Sequence, residues 1–284
     1  ALLYTMHDPK YNWKYYSEPE PHLNNRRLFC PRGKMIGGCS AHNGMVFVRG
    51  NRNDYERWEN FGLKSWSYEK VLPYFKKIET WSGGENQYRG SLGPLPVNQS
   101  KNDNPLFKAF INSASEAGHT VNPDMNGKEQ EGFGMFDTTI HEGQRASATK
   151  YYLNPAKKRK NLNIFSNSFV EKIIFEGKKA IGVEVKIKNK VEKVYAEKEV
   201  ILSGGSINSP QLLMLSGVGN SDHLKEKGID VVSDIKGVGK NLQDHLETYI
   251  MQECKTPDTL YTYTKLIPKV LAGIQWFLSK SGPC

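Results

Sequence analysis

Three glycines, Gly33, Gly37 and Gly38, fall within six positions of the stretch 32–45. Such a stretch cannot be a packed strand, because glycine loses the most backbone freedom on ordering and brings no side chain to bury. Something has to come close to this backbone. Cys39, Ser40 and Ala41 follow, small enough for the main chain to lie against a flat or charged ligand, with amide donors and the Ser40 hydroxyl open to an anion. Next come His42 and Asn43, a titratable ring beside an amide. The run Met45-Val46-Phe47-Val48 then predicts a short buried strand that ties the turn to a core. A tight connection without a ligand satisfies the same spacing, so the rest of the chain has to decide.

The chain has 284 residues, enough for one large domain or two medium ones. An apolar fraction of 38% with many aromatics separates it from disordered chains. The longest apolar stretch, 269–278, falls far short of the roughly 20 residues a spanning helix needs, so no membrane partner is expected. The net charge of +9 raises nucleic acid as a partner. Apart from Lys157-Lys158-Arg159-Lys160, however, the cations are dispersed, and those from Lys172 to Lys198 fall on alternating strand positions as a solvated face. No recognition helix or stacking motif accompanies them, and no nucleic acid is expected.

Cys30, Cys39, Cys254 and Cys284 make no CxxC pair and no His/Cys spacing suited to zinc, so no metal is expected, while one disulfide stays open. Asn98-Gln99-Ser100 fits a glycosylation acceptor in a Pro-flanked, exposed stretch. On that weak signal the expectation is an extracellular, secreted glycoprotein. The chain opens at Ala1 without a leader, from which a processed or missing N-terminus is expected.

Residues 1–30 read as mostly extended loop. Helices are predicted over 53–58, over 67–79 with Val71, Leu72, Phe75 and Ile78 on one face, and from Pro105 after an Asn104 cap to Gly118 with Leu106, Ala109, Phe110 and Ala114 inward. Between them, 81–104 is a Gly, Pro and Asn rich connection suited to a lid or an excursion into a second lobe. Another irregular tract runs to Gly143, in which Asp124, Asp137, His141 and Glu142 read as loop polar groups without metal spacing. Strands are predicted over 161–165, 170–176, 180–188 and 191–203, the last ending in Glu199-Val200-Ile201-Leu202-Ser203 as a run covered on both faces. Gly204-Gly205-Ser206 follows, and Pro210 is expected to open a helix. Strand, glycine turn and helix N-terminus together can hold a phosphate, although a plain connection explains them as well. Neither glycine loop has the spacing of the dinucleotide fingerprint.

The segments 33–44 and 205–219 closely resemble the two sequence motifs of the glucose-methanol-choline flavoprotein oxidoreductases, and 238–245 is similar to a third family stretch. The resemblance covers nearly the whole chain and looks nearest to arthropod alcohol or sugar dehydrogenases. It implies an α/β fold, with α and β mixed: part of a Rossmann-like FAD-binding domain plus part of a sheet-based substrate-binding domain. The implied boundaries are FAD domain at 1–80, lid or substrate-lobe excursion at 81–155, FAD domain again at 156–245, and the start of the substrate domain at 246–284.

The resemblance also implies roles. FAD would meet Met35, Gly37, Gly38, Cys39, His42, Asn43, Gly44, Met45 and Val46, with Val170 at adenine and Gly204 and Gly205 near the adenosine portion. Choline-oxidase-like members carry a histidine at the position of His42 and join it covalently to the flavin. Covalent attachment is therefore favoured slightly over a histidine merely hydrogen-bonded beside FAD. The implied activity is oxidation of a primary or secondary alcohol (sugar, aromatic alcohol or cyanohydrin) by hydride transfer to flavin N5, with oxygen or another acceptor closing the cycle. The family's catalytic histidine has no counterpart here, and His245 sits in a cofactor-side motif, so no catalytic residue is expected in this chain. The remaining polypeptide of the same enzyme is then an expected partner. A flavin-bearing hydroxynitrile lyase and a basic binding module without cofactor are the alternatives.

Overall fold

A computed structural model describes residues 6–100, 104–245, 247–255 and 259–283. They divide into two compact units, 1–162 with 253–284, and 163–252.

In the first unit, Tyr15–Tyr16 (β1) pairs antiparallel with Phe29–Cys30 (β2). Val46–Phe47 (β3) then leads into helix Arg52–Asn60 (α1), whose start is fixed because the Asn51 side chain accepts a bond from the Asn53 amide. Helix Tyr68–Ile78 (α2) buries Tyr68 and Val71, and runs into Glu79–Trp81 (β4). Leu95–Gln99 (β5) lies parallel to β4. In helix Pro105–Glu116 (α3), Asn104 caps the Leu106 amide and proline takes a first-turn position, where its missing N–H costs nothing. Asp137–Thr138 (β6) joins β5 to β3, giving a four-stranded sheet in the order β3-β6-β5-β4. Ile140–His141 (β7) and Gln144–Arg145 (β8) form a hairpin whose turn residues, Glu142 and Gly143, both have positive φ, as a two-residue turn between twisted strands requires.

Charge holds the middle of this unit. The Arg89 side chain is fully buried, with Glu79 Oε1 at 3.0 Å, Asp124 Oδ1 at 2.5 Å and Asp137 Oδ2 at 2.7 Å. Trp81 covers the guanidinium at 4.2 Å and donates its indole N–H to Asp137. Arg49 adds a second cation, 2.7 Å from Glu79 Oε1. Asn126 links this cluster to the sheet, donating to Phe47 O and Asp137 Oδ2 while its own oxygen accepts from the Arg49 amide.

In the second unit Ser168–Glu176 (β9), Lys179–Ile187 (β10) and Lys190–Tyr195 (β11) form an antiparallel meander. The β10–β11 turn is Lys188-Asn189, both at positive φ. Ile173 and Val185 are buried at its centre, and the exposed lysines include Lys172, Lys186 and Lys190. Helix Gly205–Leu215 (α4) is tied to β9 by Ser216 Oγ, which accepts the Ile173 amide at 2.8 Å. Val218–Gly219 (β12), Ser221–Glu226 (α5) and Ser233–Asp234 (β13) make a small unit in which β12 and β13 pair in parallel. The chain rejoins the first unit in helix Leu266–Ser279 (α6), where Trp276 Nε1 donates to Gly143 O. No helix among the described residues is long and apolar enough to cross a membrane.

The mixed class of helix and sheet is the one the sequence predicts, but several local expectations give way. Residues 161–165 form no strand, and Glu199–Ser203 is extended chain without a ladder, with Ile201 76% exposed. An apolar run becomes a buried strand only where neighbours pair with it, and none does here. Pro210 lies inside α4 instead of opening it. Only two residues of the Met45–Val48 run pair in the sheet, and Val46 and Val48 stay about half exposed. On α3 only Ala114 is buried, while Leu106 and Phe110 face outward. Asn98 is no exposed acceptor either, since it sits in β5 with its side-chain amide donating to Ile140 O. Cys30, Cys39 and Cys254 are thiols, whereas Cys284 lies outside the described residues.

Arg89 is the cation on which three carboxylates converge. Replacing it with methionine in the full-length protein leaves those carboxylates mutually repelling in a dry site, and urea unfolding should record a loss of about 3–5 kcal/mol.

Candidate functional site

The glycine turn is built from backbone bonds and held from both sides. On the entering side, Asn12, almost fully buried, accepts the Arg32 amide at 3.0 Å. The amide of Trp13 bonds Arg32 O, and that of Lys34 bonds Tyr11 O at 2.8 Å. Gly33 faces the far end of the turn closely enough that a Cβ there would stand 2.5 Å from the Gly38 carbonyl. Gly37 and Gly38 both have positive φ, and the Gly38 amide closes on Met35 O at 2.9 Å. A short 3-10 turn over Gly38–Ala41 follows, steadied by Ser40 Oγ on Gly37 O at 2.6 Å and by the His42 and Asn43 amides on Cys39 O.

The second support arrives from β8 and the residues after it. Arg145 Nη1 donates to Asn43 O and Asn43 Oδ1, each at 2.7 Å, and reaches Ser40 O at 3.4 Å. The Ala148 amide bonds Ser40 Oγ, and Thr149 Oγ1 lies against Gly37 where a side chain would otherwise stand. Sequence reasoning missed Arg145 and Thr149. The available signal was the run of small residues Ala146-Ser147-Ala148, two residues beyond the Glu142-Gly143 turn, which lets one backbone lie on another.

His42 is the anomaly of the turn. It is only 5% exposed, and neither Nδ1 nor Nε2 has a hydrogen-bond partner. Buried polar groups in folded proteins are almost always paired, because an unpaired one costs about 1–3 kcal/mol. Burial pushes the imidazole below its ordinary pKa, and the positive charges of Arg145 and Arg32 push it the same way, so the ring is neutral at pH 7. Thr149 Oγ1 is likewise buried without a partner. Beside these unpaired groups the backbone is open, since a Cβ on Gly38 or Gly44 would meet nothing within 4 Å. Neutral, unpaired polar atoms next to a side-chain-free backbone suit a large, flat, polar molecule.

Met35, Gly37, Gly38, Cys39, His42, Asn43 and Gly44 lie in or beside the 3-10 turn, and Met45, at positive φ, leads into β3, where Val46 stands. The other expected positions belong to the second unit. Val170 is in β9, where it pairs with Val185. Gly204 and Gly205 are exposed at the start of α4, with Gly205 at positive φ and open space where its Cβ would be. His245 is exposed, and its amide bonds Asp244 Oδ1. Among the described residues no group of three or more His, Cys, Asp or Glu could hold a metal.

The family model for GMC oxidoreductases matches residues 11–247. The chain belongs to the GMC oxidoreductase family. Similar relatives are the oxygen-dependent choline dehydrogenase of Brucella ovis, 50% identical over 282 residues, and the mitochondrial choline dehydrogenase of Homo sapiens, 49% identical over 282 residues. Each match takes in 99% of this chain, and 51% and 48% of those relatives respectively, so this GMC oxidoreductase chain spans about half their length. Among solved structures, an FAD-dependent oxidoreductase from Chaetomium thermophilum is 30% identical with a TM-score of 0.83, over 97% of this chain and 51% of that one. These relatives overturn the expectation of secretion: they are bacterial and mitochondrial choline dehydrogenases, and the glycosylation triplet that prompted the idea is tied into a sheet.

The lowered pKa of His42 fixes a sign for the acid stability of this oxidoreductase. Below the ordinary value of 6.5 the unfolded chain takes up a proton that the folded chain refuses. Stability should therefore fall as pH drops from about 6.5 towards the folded-state pKa, and His42→Gln should flatten that limb in urea titrations at several pH values. At the turn itself, Gly33→Ala should lower the melting temperature more than Gly44→Ala, because only the first drives a methyl into backbone.

Proposed function

We propose that the glycine turn holds the isoalloxazine end of FAD and that the full-length protein oxidises an alcohol, with choline as the substrate to test first. The observation that carries the cofactor reading is His42, whose two ring nitrogens are buried and without partners in a turn rich in glycine and small residues. The choline reading rests on relatives 49–50% identical over 282 residues.

In this reading Met35, Gly37, Gly38, Cys39, Asn43, Gly44, Met45 and Val46 bind the cofactor largely through backbone. Val170, Gly204 and Gly205 serve its adenosine portion. Residues 1–80 and 156–245 make up the FAD domain, with 81–155 as the excursion and 246–284 opening the substrate domain. Bound FAD would supply the two-electron acceptor for a hydride leaving the alcohol carbon. The chain's own residues bind and orient. Backbone amides of the turn offer donors to a polar ring, Arg145 fixes the frame of Asn43, and burial keeps the His42 imidazole neutral.

A neutral imidazole nitrogen is nucleophilic, whereas an imidazolium is not, which favours His42 as a point of covalent attachment. None of the residues of the two loops is assigned as the base that takes the hydroxyl proton.

Anaerobic addition of choline to the full-length enzyme should bleach its flavin absorbance, as a net oxidation requires. Colour unchanged by choline but bleached by another alcohol would move the substrate, and colour unchanged by any alcohol would point to lyase chemistry. On acid precipitation the flavin should stay with the wild-type protein and leave with the supernatant in His42→Ala. Complete release from the wild type would defeat covalent attachment.

A further inference from the structure

A guanidinium needs compensation when it leaves water, and Arg145 finds it only in part. Its side chain is partly buried, and among the described residues no carboxylate pairs with it; its bonds go to Asn43 O, Asn43 Oδ1 and Ser40 O. Those three acceptors bracket His42 in sequence: two are backbone carbonyls and the third is the side-chain oxygen of Asn43. A neutral donor could have closed such a turn at lower desolvation cost, so the charge itself calls for a reason.

We propose that Arg145 is a positioning residue for His42: it clamps the backbone on both sides of the ring and places an uncompensated positive charge beside it. The clamp fixes where the imidazole stands relative to the open backbone of the turn. The charge makes a second positive charge on the ring unfavourable, and it acts with Arg32 on the entering side; these are the two charged groups that bear on the ring, from the strand packed over the turn and from the arm that leads into it. All three bonds leave one nitrogen, Nη1, which the planar and weakly hydrated guanidinium holds in a fixed place, whereas a lysine would carry the charge on a flexible, strongly hydrated stem.

The inference deepens the proposed cofactor site and rests on it for its purpose, yet its geometry can be tested without cofactor. The full-length protein, prepared free of flavin from riboflavin-starved cells, is followed by exchange of the His42 C2 hydrogen against pH and by amide exchange over residues 40–44. In Arg145→Gln the His42 midpoint should rise towards the ordinary imidazole value, and amide exchange should accelerate about tenfold. In Arg145→Lys the midpoint should stay low while the amides still accelerate, which separates charge from grip. Unchanged midpoint and unchanged amide exchange in Arg145→Gln would overturn the proposal, and should that variant not fold, unchanged amide exchange in Arg145→Lys does the same. If these shifts appear but added FAD does not bind to the wild type, the positioning role stands and the cofactor reading falls.

Discussion

Burial of Arg89 among Glu79, Asp137 and Asp124 is the constraint around which the first unit is arranged. Removing a guanidinium and its carboxylates from water costs several kcal/mol per ion, and only near-ideal geometry recovers it. The cluster therefore tolerates little displacement of the strands that carry it. Burial works against the Arg89 charge, yet the hydrogen bonds it donates to Glu79 and Asp137 hold it protonated, and the Trp81 face closes one side. Asp137 stands on β6, the strand paired with Val46–Phe47, and Asn126 bonds both Asp137 and Phe47 O. The strand leaving the glycine turn is thus registered against an ionic core instead of an apolar one.

That arrangement answers a difficulty posed by the turn. A backbone with three glycines gives close approach but no stiffness of its own, since glycine has the most freedom to lose. Rigidity has to come from outside, and it does so at both ends. Asn12 and the 11–13 segment fix the entry, β6 and the ionic cluster fix the exit, and Arg145 with Ala148 and Thr149 spans the middle. A binding loop held by firm elements keeps its donors in place before any ligand arrives, which lowers the ordering cost of binding.

How much of this was legible in the sequence depends on the range of the interaction. The turn was legible because its demand for glycine is local. The meander of β9, β10 and β11 was legible because alternating Val and Ile between Gly and Asn breaks is a local pattern too. Residues 199–203 show the opposite case, because an apolar run reads the same whether or not strands lie beside it. The ionic core was hidden altogether. Arg49, Glu79, Arg89, Asp124 and Asp137 are scattered across nearly ninety positions, and Asp124 and Asp137 read as ordinary loop polar groups until the fold assembles them.

His42 brings the two scales together. Its place beside glycine and small residues is written locally, whereas its protonation state depends on Arg145, about a hundred residues further on, and on burial that only the folded turn supplies. A histidine left without partners is a net loss to stability, and the two cations set near it oppose the protonation that would change its state. Stability alone would select a ring that is exposed or hydrogen-bonded. The arrangement makes sense if what is being held is a neutral nitrogen with an unused lone pair, because burial and the nearby charges then serve to keep that lone pair available.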